Sequence, residues 1–401
     1  MGILTKSGDM INGCCGVDFY MVIFCWVFYV VFVGLHLALM TGLYLEWLRD
    51  KKALKHTGNG FPDVTVIVPV HNESGRIEGL LRSLEEQDYP NAELIFVDDR
   101  SRDKCAEIIA AFITRRSAGS RQEKNRARII TLNENPGPNH KQYALARGIE
   151  ASSGEYILFT DADCVMPSAW IRGMVERMGD KKVGAVIAPV LKRPEGKGFL
   201  HLYQCFEHGI RYVYLAGATG LGAAGGGFGN NLILRRASLE AVGGYEKVPP
   251  SPTEDAALIS RIRSFSDYRI RSALGADVHV ITEGENTWKK LVNQTLRWNN
   301  GGLFSPDLVT RFNFSFLMIT IAMGILTIPA LPFCPVLWPL PFAVLTAMIF
   351  NTAANLGFMG ISLPRRRFAY ILTLLFTPVY FTLLTILGYL GFKPEWKGEK
   401  M

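Results

Sequence analysis

Four stretches of this chain are too apolar, for too long, to sit in an ordinary soluble core. They are residues 18–45, 313–333, 335–360 and 368–391. A bilayer core is about 30 Å thick and accepts about 20 apolar residues as a helix, so each stretch reads as a membrane helix. The first is too long for a cleaved leader and has no clear small-residue cleavage site, so it reads as an anchor. Residues 56–310 lie between the first and second stretches and are mixed in polarity. The expected organisation is therefore an N-terminal transmembrane helix over 18–45, a folded unit over 56–310, and about three transmembrane helices over 313–391.

The charge agrees with this division. The chain has 43 Lys and Arg against 36 Asp and Glu, a net charge of +7, and 49% hydrophobic residues. Nucleic acid is one reading of a basic excess, but its placement argues against that partner. Arg49, Lys51, Lys52 and Lys55 follow the first apolar stretch, and Arg365, Arg366 and Arg367 separate the last two. Basic residues beside membrane helices mark cytoplasmic loops. The expected localisation is an integral, multi-pass membrane protein of a bacterial plasma membrane with 56–310 in the cytosol. On that topology the tail with Lys393, Lys397 and Lys400 lies outside, against the rule. The seven cysteines, Cys14, Cys15, Cys25, Cys105, Cys164, Cys205 and Cys334, form no CxxC pair and suggest neither a disulfide framework nor a zinc site.

Within 56–310, short apolar runs at 64–70, 93–97, 128–132, 155–160 and 184–190 alternate with longer polar-apolar segments such as 75–86 and 103–116. Buried strands alternating with helices predict an α/β, Rossmann-like, doubly wound sheet. Ligands on such sheets bind beyond the carboxyl ends of the strands. Three acidic motifs fall at such ends.

The first is Pro69-Val70-His71-Asn72-Glu73, where Glu73 is placed to meet a base or ribose, or simply ends the strand in a polar turn. The second is Asp98-Asp99-Arg100-Ser101, where a carboxylate suits a ring N–H or ribose hydroxyl, or Asp99 or Ser101 caps the following helix. The third is Asp161-Ala162-Asp163. Two carboxylates at the end of a core strand are costly unless neutralised. Their hard oxygens suit Mg2+ or Mn2+ carrying the phosphates of a nucleotide.

Three further motifs follow. Lys141, in Asn139-His140-Lys141, reads as a diphosphate partner or as a surface lysine. Thr253-Glu254-Asp255 reads as a helix start with Thr253 as cap and acids in its first turn, or as the site of a general base at Asp255. Gln294, Arg297 and Trp298 share one helical face. Arg297 is suited to a departing diphosphate, and Trp298 to a sugar or lipid platform. An amphipathic helix with a snorkelling arginine fits the same pattern.

Taken in order, Val97-Asp98-Asp99, Asp161-Ala162-Asp163, Thr253-Glu254-Asp255 and Gln294-x-x-Arg297-Trp298 resemble the membrane-integrated, inverting family 2 glycosyltransferases. That group includes cellulose, hyaluronan and chitin synthases, ceramide glucosyltransferases and bacterial carotenoid or lipid glycosyltransferases. The similarity spans roughly residues 60–300. It implies a GT-A fold with a mixed sheet, a nucleotide-sugar donor (UDP-linked) and a divalent metal, Mg2+ or Mn2+. Pro69, His71, Glu73, Asp98, Asp99, Lys141 and Asp161 would then hold the nucleotide sugar, and Asp161 and Asp163 the metal. Asp255, with Glu254 and Arg297, would carry the catalysis. Gly229, Asn230, Gln294, Arg297 and Trp298 would line the diphosphate and acceptor pocket, and Asn231, Arg235 and Arg236 continue the segment that resembles the family's acceptor region.

Arg100 and His140 stand where glycine is common in the family. No Phe-x-Val-Thr gating segment is found. Few C-terminal helices favour transfer of one sugar to a lipid over a polysaccharide channel. A processive polysaccharide synthase acting on a glycan acceptor is the alternative, followed by a non-catalytic nucleotide-sugar-binding membrane protein. Asn351 and Asn355, four apart on the third apolar stretch, should face the helix bundle.

Overall fold

A computed structural model of the chain describes residues 19–54, 60–119, 126–136, 139–193, 198–358, 367–396 and 399–400. Cys14, Cys15, Lys55, Arg365, Arg366 and Lys397 lie outside the described residues. In chain order the elements are α1 (Phe19–Ala53), β1 (Val64–Val70), α2 (Ile77–Glu85), β2 (Ala92–Asp98), α3 (Cys105–Gly119), β3 (Ala127–Thr131), α4 (His140–Ala151), β4 (Tyr156–Phe159), α5 (Trp170–Glu176), β5 (Val183–Ile187) and β6 (Val190–Lys192). They continue with α6 (Phe199–Gly220), β7 (Leu232–Arg235), α7 (Arg236–Ala241), α8 (Glu254–Phe265), β8 (Arg269–Ser272), β9 (Val280–Thr282), α9 (Trp288–Leu303), α10 (Leu308–Leu326), α11 (Pro339–Phe358) and α12 (Arg367–Tyr389).

The first strands form because β-branched runs are covered on both faces. Val64, Val66, Val68 and Val70 point into one apolar core, and Ile67 points into the other. Helix α2 buries Ile77, Leu80, Leu81 and Leu84, the spacing of one helical face. Seven strands make one sheet in the order β3-β2-β1-β4-β7-β5-β8. β7 runs antiparallel to both of its neighbours, and the other pairs are parallel. This is the mixed, doubly wound α/β sheet expected. The run at 184–190 differs from expectation: β5 ends at Ile187, and the chain bends through Ala188 and Pro189 into β6, which pairs with β9 in a separate ribbon. Pro189 has no N–H with which to continue the first ladder.

Among the described residues four helices are long and apolar enough to cross a membrane: Phe19–Ala53, Leu308–Ala330, Pro335–Phe358 and Tyr370–Tyr389. Helix α6 has no counterpart in the sequence reading. It packs on α1 through glycines: a side chain on Gly42 would meet the Gly217 carbonyl, and one on Gly220 would meet the Gly42 carbonyl. Backbones approach this closely only where the residues are small. Asn351 donates to the Tyr214 hydroxyl (2.6 Å) and Asn355 to the Phe206 carbonyl (3.3 Å), so both amides tie α11 to α6.

Helix α12 runs beside α9 along its length. Phe376 meets Trp288, Tyr380 bonds Thr295 (2.5 Å), and Tyr389 meets Phe304 just past the end of α9. The Asn300 amide then donates to the Phe392 carbonyl (3.3 Å). The start of the tail that carries Lys393 therefore lies beside the end of α9. A reporter fused after the last residue is expected to share the compartment of the α/β unit. Selective labelling of a C-terminal cysteine from the opposite face would refute this.

Candidate active site

The parallel order β2-β1-β4 brings three strand ends together, and the loops that follow them form one wall of a cavity of about 1380 Å³. At the β1 end, Pro69, His71 and Glu73 line the cavity. A ring nitrogen of His71 bonds the Asp99 carbonyl, joining the β1 and β2 loops. Glu73 is ion-paired with Arg76 (2.7 Å), and Arg76 also reaches toward Asp163 (3.9 Å).

The two acids at the β2 end separate. Asp99 faces the cavity, whereas Asp98 is off its described wall. Asp98 Oδ1 instead accepts the Ser101 N–H (3.2 Å) and shapes the loop. Neither Asp99 nor Ser101 caps α3; Asp103 Oδ1 accepts the Cys105 N–H (3.1 Å) there. Arg100 has φ +57°, the left-handed region that favours glycine. Its guanidinium bonds Asp99 (2.8 Å) and lies 3.4 Å from His140 Nδ1. Arg100 and His140, the two positions where the motif resemblance leads to an expectation of glycine, thus meet at the pocket.

Lys141 lies in the first turn of α4, after Asn139, whose side chain accepts the Gln142 N–H. Its ammonium bonds both oxygens of Asp161 (2.8 and 3.0 Å) and lies 3.4 Å from Glu254. Burial opposes that charge, but Asp161 and Glu254 outweigh it and hold the lysine above its usual range. Asp163 is arranged differently. One oxygen accepts the Thr282 hydroxyl (2.8 Å) from the end of β9, and the side chain keeps 23% exposure.

Among the described residues no group of three His, Cys, Asp or Glu side chains makes a complete metal cage. The donor set does fit a hard divalent ion that takes most of its oxygens from a phosphate ligand, with Asp163 as the protein's carboxylate. Asp161 is the less available of the pair because Lys141 holds both of its oxygens.

Asp255 is the second residue of α8, directly after Glu254. Its Oδ2 accepts the Gly229 N–H (2.8 Å) and its Oδ1 the Ala256 N–H (2.8 Å). A Cβ on Gly229 would stand 3.1 Å from the Asp255 Cβ, so the glycine lets its backbone reach the carboxylate. Burial and then the Glu254 charge push the Asp255 pKa up to about 6, against the pull of Lys141. Thr253 makes no side-chain cap to α8; its neighbours are Ser251 and the backbone of Gly301.

Helix α9 closes the opposite side. Arg297 donates to the Pro252 carbonyl (2.7 Å), fixing α9 to the approach of α8, while its Nε is buried without a partner among the described residues. Gln294 donates to Glu285 (3.1 Å). Trp298 is held edge-on by His208 (5.4 Å between centroids) and lies 5.3 Å from the Arg211 guanidinium. Asn230 faces the cavity and lies 3.5 Å from Cys164 Sγ.

Its neighbour Asn231 is wholly buried and bonds Trp170, Pro189 and Val278. Arg235 and Arg236 sit at the far end of β7, where they bind carbonyls such as Met178 and Gly154. That arginine pair therefore stays off the cavity. From Asp255 and Trp298 the cavity continues between Leu35 and Leu39 of α1, Phe314, Leu317 and Met318 of α10, and Phe381 of α12.

Sequence reasoning missed Arg76, Lys192, His208, Arg211 and Thr282, all of which line the cavity; Arg211 is ion-paired with Glu207, which is off the cavity wall. Only the polar residues of α6, at i and i+3 or i+4 within an apolar segment, carried a signal.

Comparison with known proteins agrees with this architecture. The family model described as Glycosyl transferase family 21 matches residues 26–401. A beta-monoglucosyldiacylglycerol synthase of Trichormus variabilis is 27% identical over 312 residues, covering 75% of this chain and 63% of that protein. A poly-beta-1,6-N-acetyl-D-glucosamine synthase of Staphylococcus epidermidis is 25% identical over 290 residues, covering 69% of this chain and 64% of that protein. The chain thus spans less than two thirds of the length of either relative. Among solved structures, a mannosyltransferase from Pyrobaculum calidifontis in complex with GDP-Man and Mn2+ superposes with TM-score 0.51 at 19% identity, covering 91% of this chain and 99% of that one. The likeness identifies the fold as GT-A.

Proposed function

The chain belongs to glycosyl transferase family 21, and on that footing we propose that it transfers a sugar from a nucleotide sugar, UDP-linked by the motif resemblance, to a hydroxyl of a membrane lipid. One observation carries the reading. A single cavity joins the carboxylate-bearing strand ends to apolar side chains of α1, α10 and α12. A water-soluble donor and a membrane-embedded acceptor would meet there.

In this reading Glu73 and Asp99 meet the nucleoside, and Lys141 meets the diphosphate. A divalent cation, Mg2+ or Mn2+, held by Asp163 with Asp161 would neutralise diphosphate charge. Asp255 takes the proton of the acceptor hydroxyl as that oxygen attacks the anomeric carbon. The bond to the diphosphate oxygen breaks on the opposite side, so the anomeric centre inverts. Arg297, whose Nε has no partner among the described residues, lines the cavity and stabilises the leaving charge. The α/β unit works in the cytosol, where sugar nucleotides are made. The polysaccharide alternative draws on the Staphylococcus epidermidis relative.

The test uses membranes holding the full chain, incubated with radiolabelled UDP-glucose, UDP-galactose, UDP-N-acetylglucosamine or GDP-mannose, then extracted with organic solvent. Label is expected in one discrete lipid. It should fall to background with EDTA and return with Mn2+ or Mg2+. Label in an insoluble, high-mass product would replace lipid transfer with polymerisation, and no label from any donor would overturn both.

A further inference from the structure

We propose that His208 and Lys192 form a subsite that reads one hydroxyl of the transferred sugar. The inference rests on the nucleotide-sugar reading above and assigns a specificity role to two residues outside its motifs.

His208 lies on α6 and is 2% exposed. Its Nδ1 is 3.3 Å from the Val190 carbonyl, an acceptor, so Nδ1 keeps the proton and donates. Nε2 is left with its lone pair, and it is buried without a partner among the described residues. Burial, reinforced by Lys192 and Arg211, holds the imidazole well below its ordinary pKa, so the ring is neutral. The ring is also fixed in place. It stacks on Phe228 (5.5 Å, 11°) and meets Trp298 edge-on (5.4 Å, 77°).

Lys192 ends β6 and is 6% exposed. Its ammonium has three hydrogens, and among the described residues one hydrogen bond is recorded, to the Glu283 carbonyl (2.9 Å). The carboxylates of Asp163, Glu285 and Glu207 lie near enough to act on its charge. Both side chains line the cavity that holds Asp163, Trp298 and Asp255.

The chemistry selects the ligand group. A neutral Nε2 offers a lone pair and no proton. A phosphate or carboxylate oxygen would repel it, and would also face the nearby acids. A hydroxyl suits both partners: it donates to Nε2 and accepts from the ammonium. Aromatic faces at Phe228 and Trp298 suit the C–H surface of a pyranose. Position selects the substrate. Asp163 lies toward the diphosphate, and Phe228 immediately precedes Gly229, whose N–H holds Asp255. The donor's sugar ring belongs between those points. Sites built to hydrogen-bond a hydroxyl discriminate strongly against its absence, because their own polar groups are then left unpaired.

The experiment uses the purified full chain in lipid nanodiscs. It compares kcat/KM for the sugar nucleotide the wild type uses with that for each of its monodeoxy analogues. The proteins are wild type, His208→Phe (which keeps a ring on Phe228), His208→Gln (which keeps an acceptor) and Lys192→Met. In the wild type, one deoxy position should cost about 10- to 100-fold, the range expected for two hydrogen bonds lost together. In His208→Phe the normal donor should be slowed by a similar factor, and that deoxy analogue should cost under about threefold more. His208→Gln should restore part of the discrimination. If His208→Phe fails to fold, Lys192→Met carries the same comparison. Equal deoxy penalties in wild type and variants at every ring position would overturn the proposal while leaving sugar transfer intact. A wild type that turns over no nucleotide sugar would overturn the functional reading beneath it.

Discussion

Replacing Asp255 with asparagine is expected to lower kcat for sugar transfer by about 10²- to 10⁴-fold, the usual contribution of a positioned general base. Nucleotide-sugar binding should stay near the wild-type level. The variant is nearly isosteric, so the loop at Gly229 and the start of α8 should persist, at the cost of a weakened bond from the Gly229 N–H. The same residue sets a pH dependence. The pKa of Asp255 is pushed up to about 6 in the free protein. The base form is the active form, so kcat/KM should be flat above that value. It should fall about tenfold per pH unit as pH drops below it. An asparagine variant that folds and retains activity within about threefold of wild type would remove Asp255 from this role.

Replacing Arg177 with alanine is expected to destabilise the protein by about 3–5 kcal/mol, the cost of breaking a buried ion pair by removing one partner. The Arg177 side chain is 2% exposed and lies between Asp50 of α1, itself 5% exposed, and Asp277 (2.7 Å). Asp50 also accepts the Leu274 N–H (3.2 Å). Without the guanidinium, the Asp50 charge would be buried against an amide and a methyl group. The residues involved are off the cavity wall, so the loss should appear in thermal unfolding before it appears in donor affinity. Arg177→Met combined with Asp50→Asn should recover much of the deficit, because no unpaired charge is then buried at that junction. An unchanged melting temperature for Arg177→Ala would show that α1 is not secured there.

The strand runs and acidic motifs were legible because both obey local rules. A β-branched run such as 64–70 has few alternatives to a buried strand, and acids at its carboxyl end mark a ligand edge. What could not be read was how neighbouring acids divide. Asp98 and Asp99 are equivalent in sequence, yet one shapes a turn and the other faces the cavity. The split depends on the left-handed backbone of Arg100 and its reach to His140, a contact 40 residues apart in the chain. Helix α6 was illegible for a different reason. Gly209, Gly217 and Gly220 weaken its helical signal, and their purpose is tertiary: they admit Asn355 of α11 and the backbone of α1. His208 and Lys192 come together only because β6 leaves the main sheet and pairs with β9. No periodicity in the sequence announces that departure.

The length of α1 has a mechanical consequence. Its 35 residues make an unbroken rod of about 52 Å at 1.5 Å per residue, while the hydrocarbon core of a bilayer is about 30 Å thick. The excess is not a tether. It carries Glu46 and Asp50 into the α/β unit, where they bind the Ser272 and Leu274 amides. If α1 spans a bilayer as its length and composition allow, the height of Asp255 above the lipid follows from this rigid strut. On the lipid-acceptor function proposed above, the acceptor hydroxyl would present itself at that height, and the strut would act as a gauge for headgroup length.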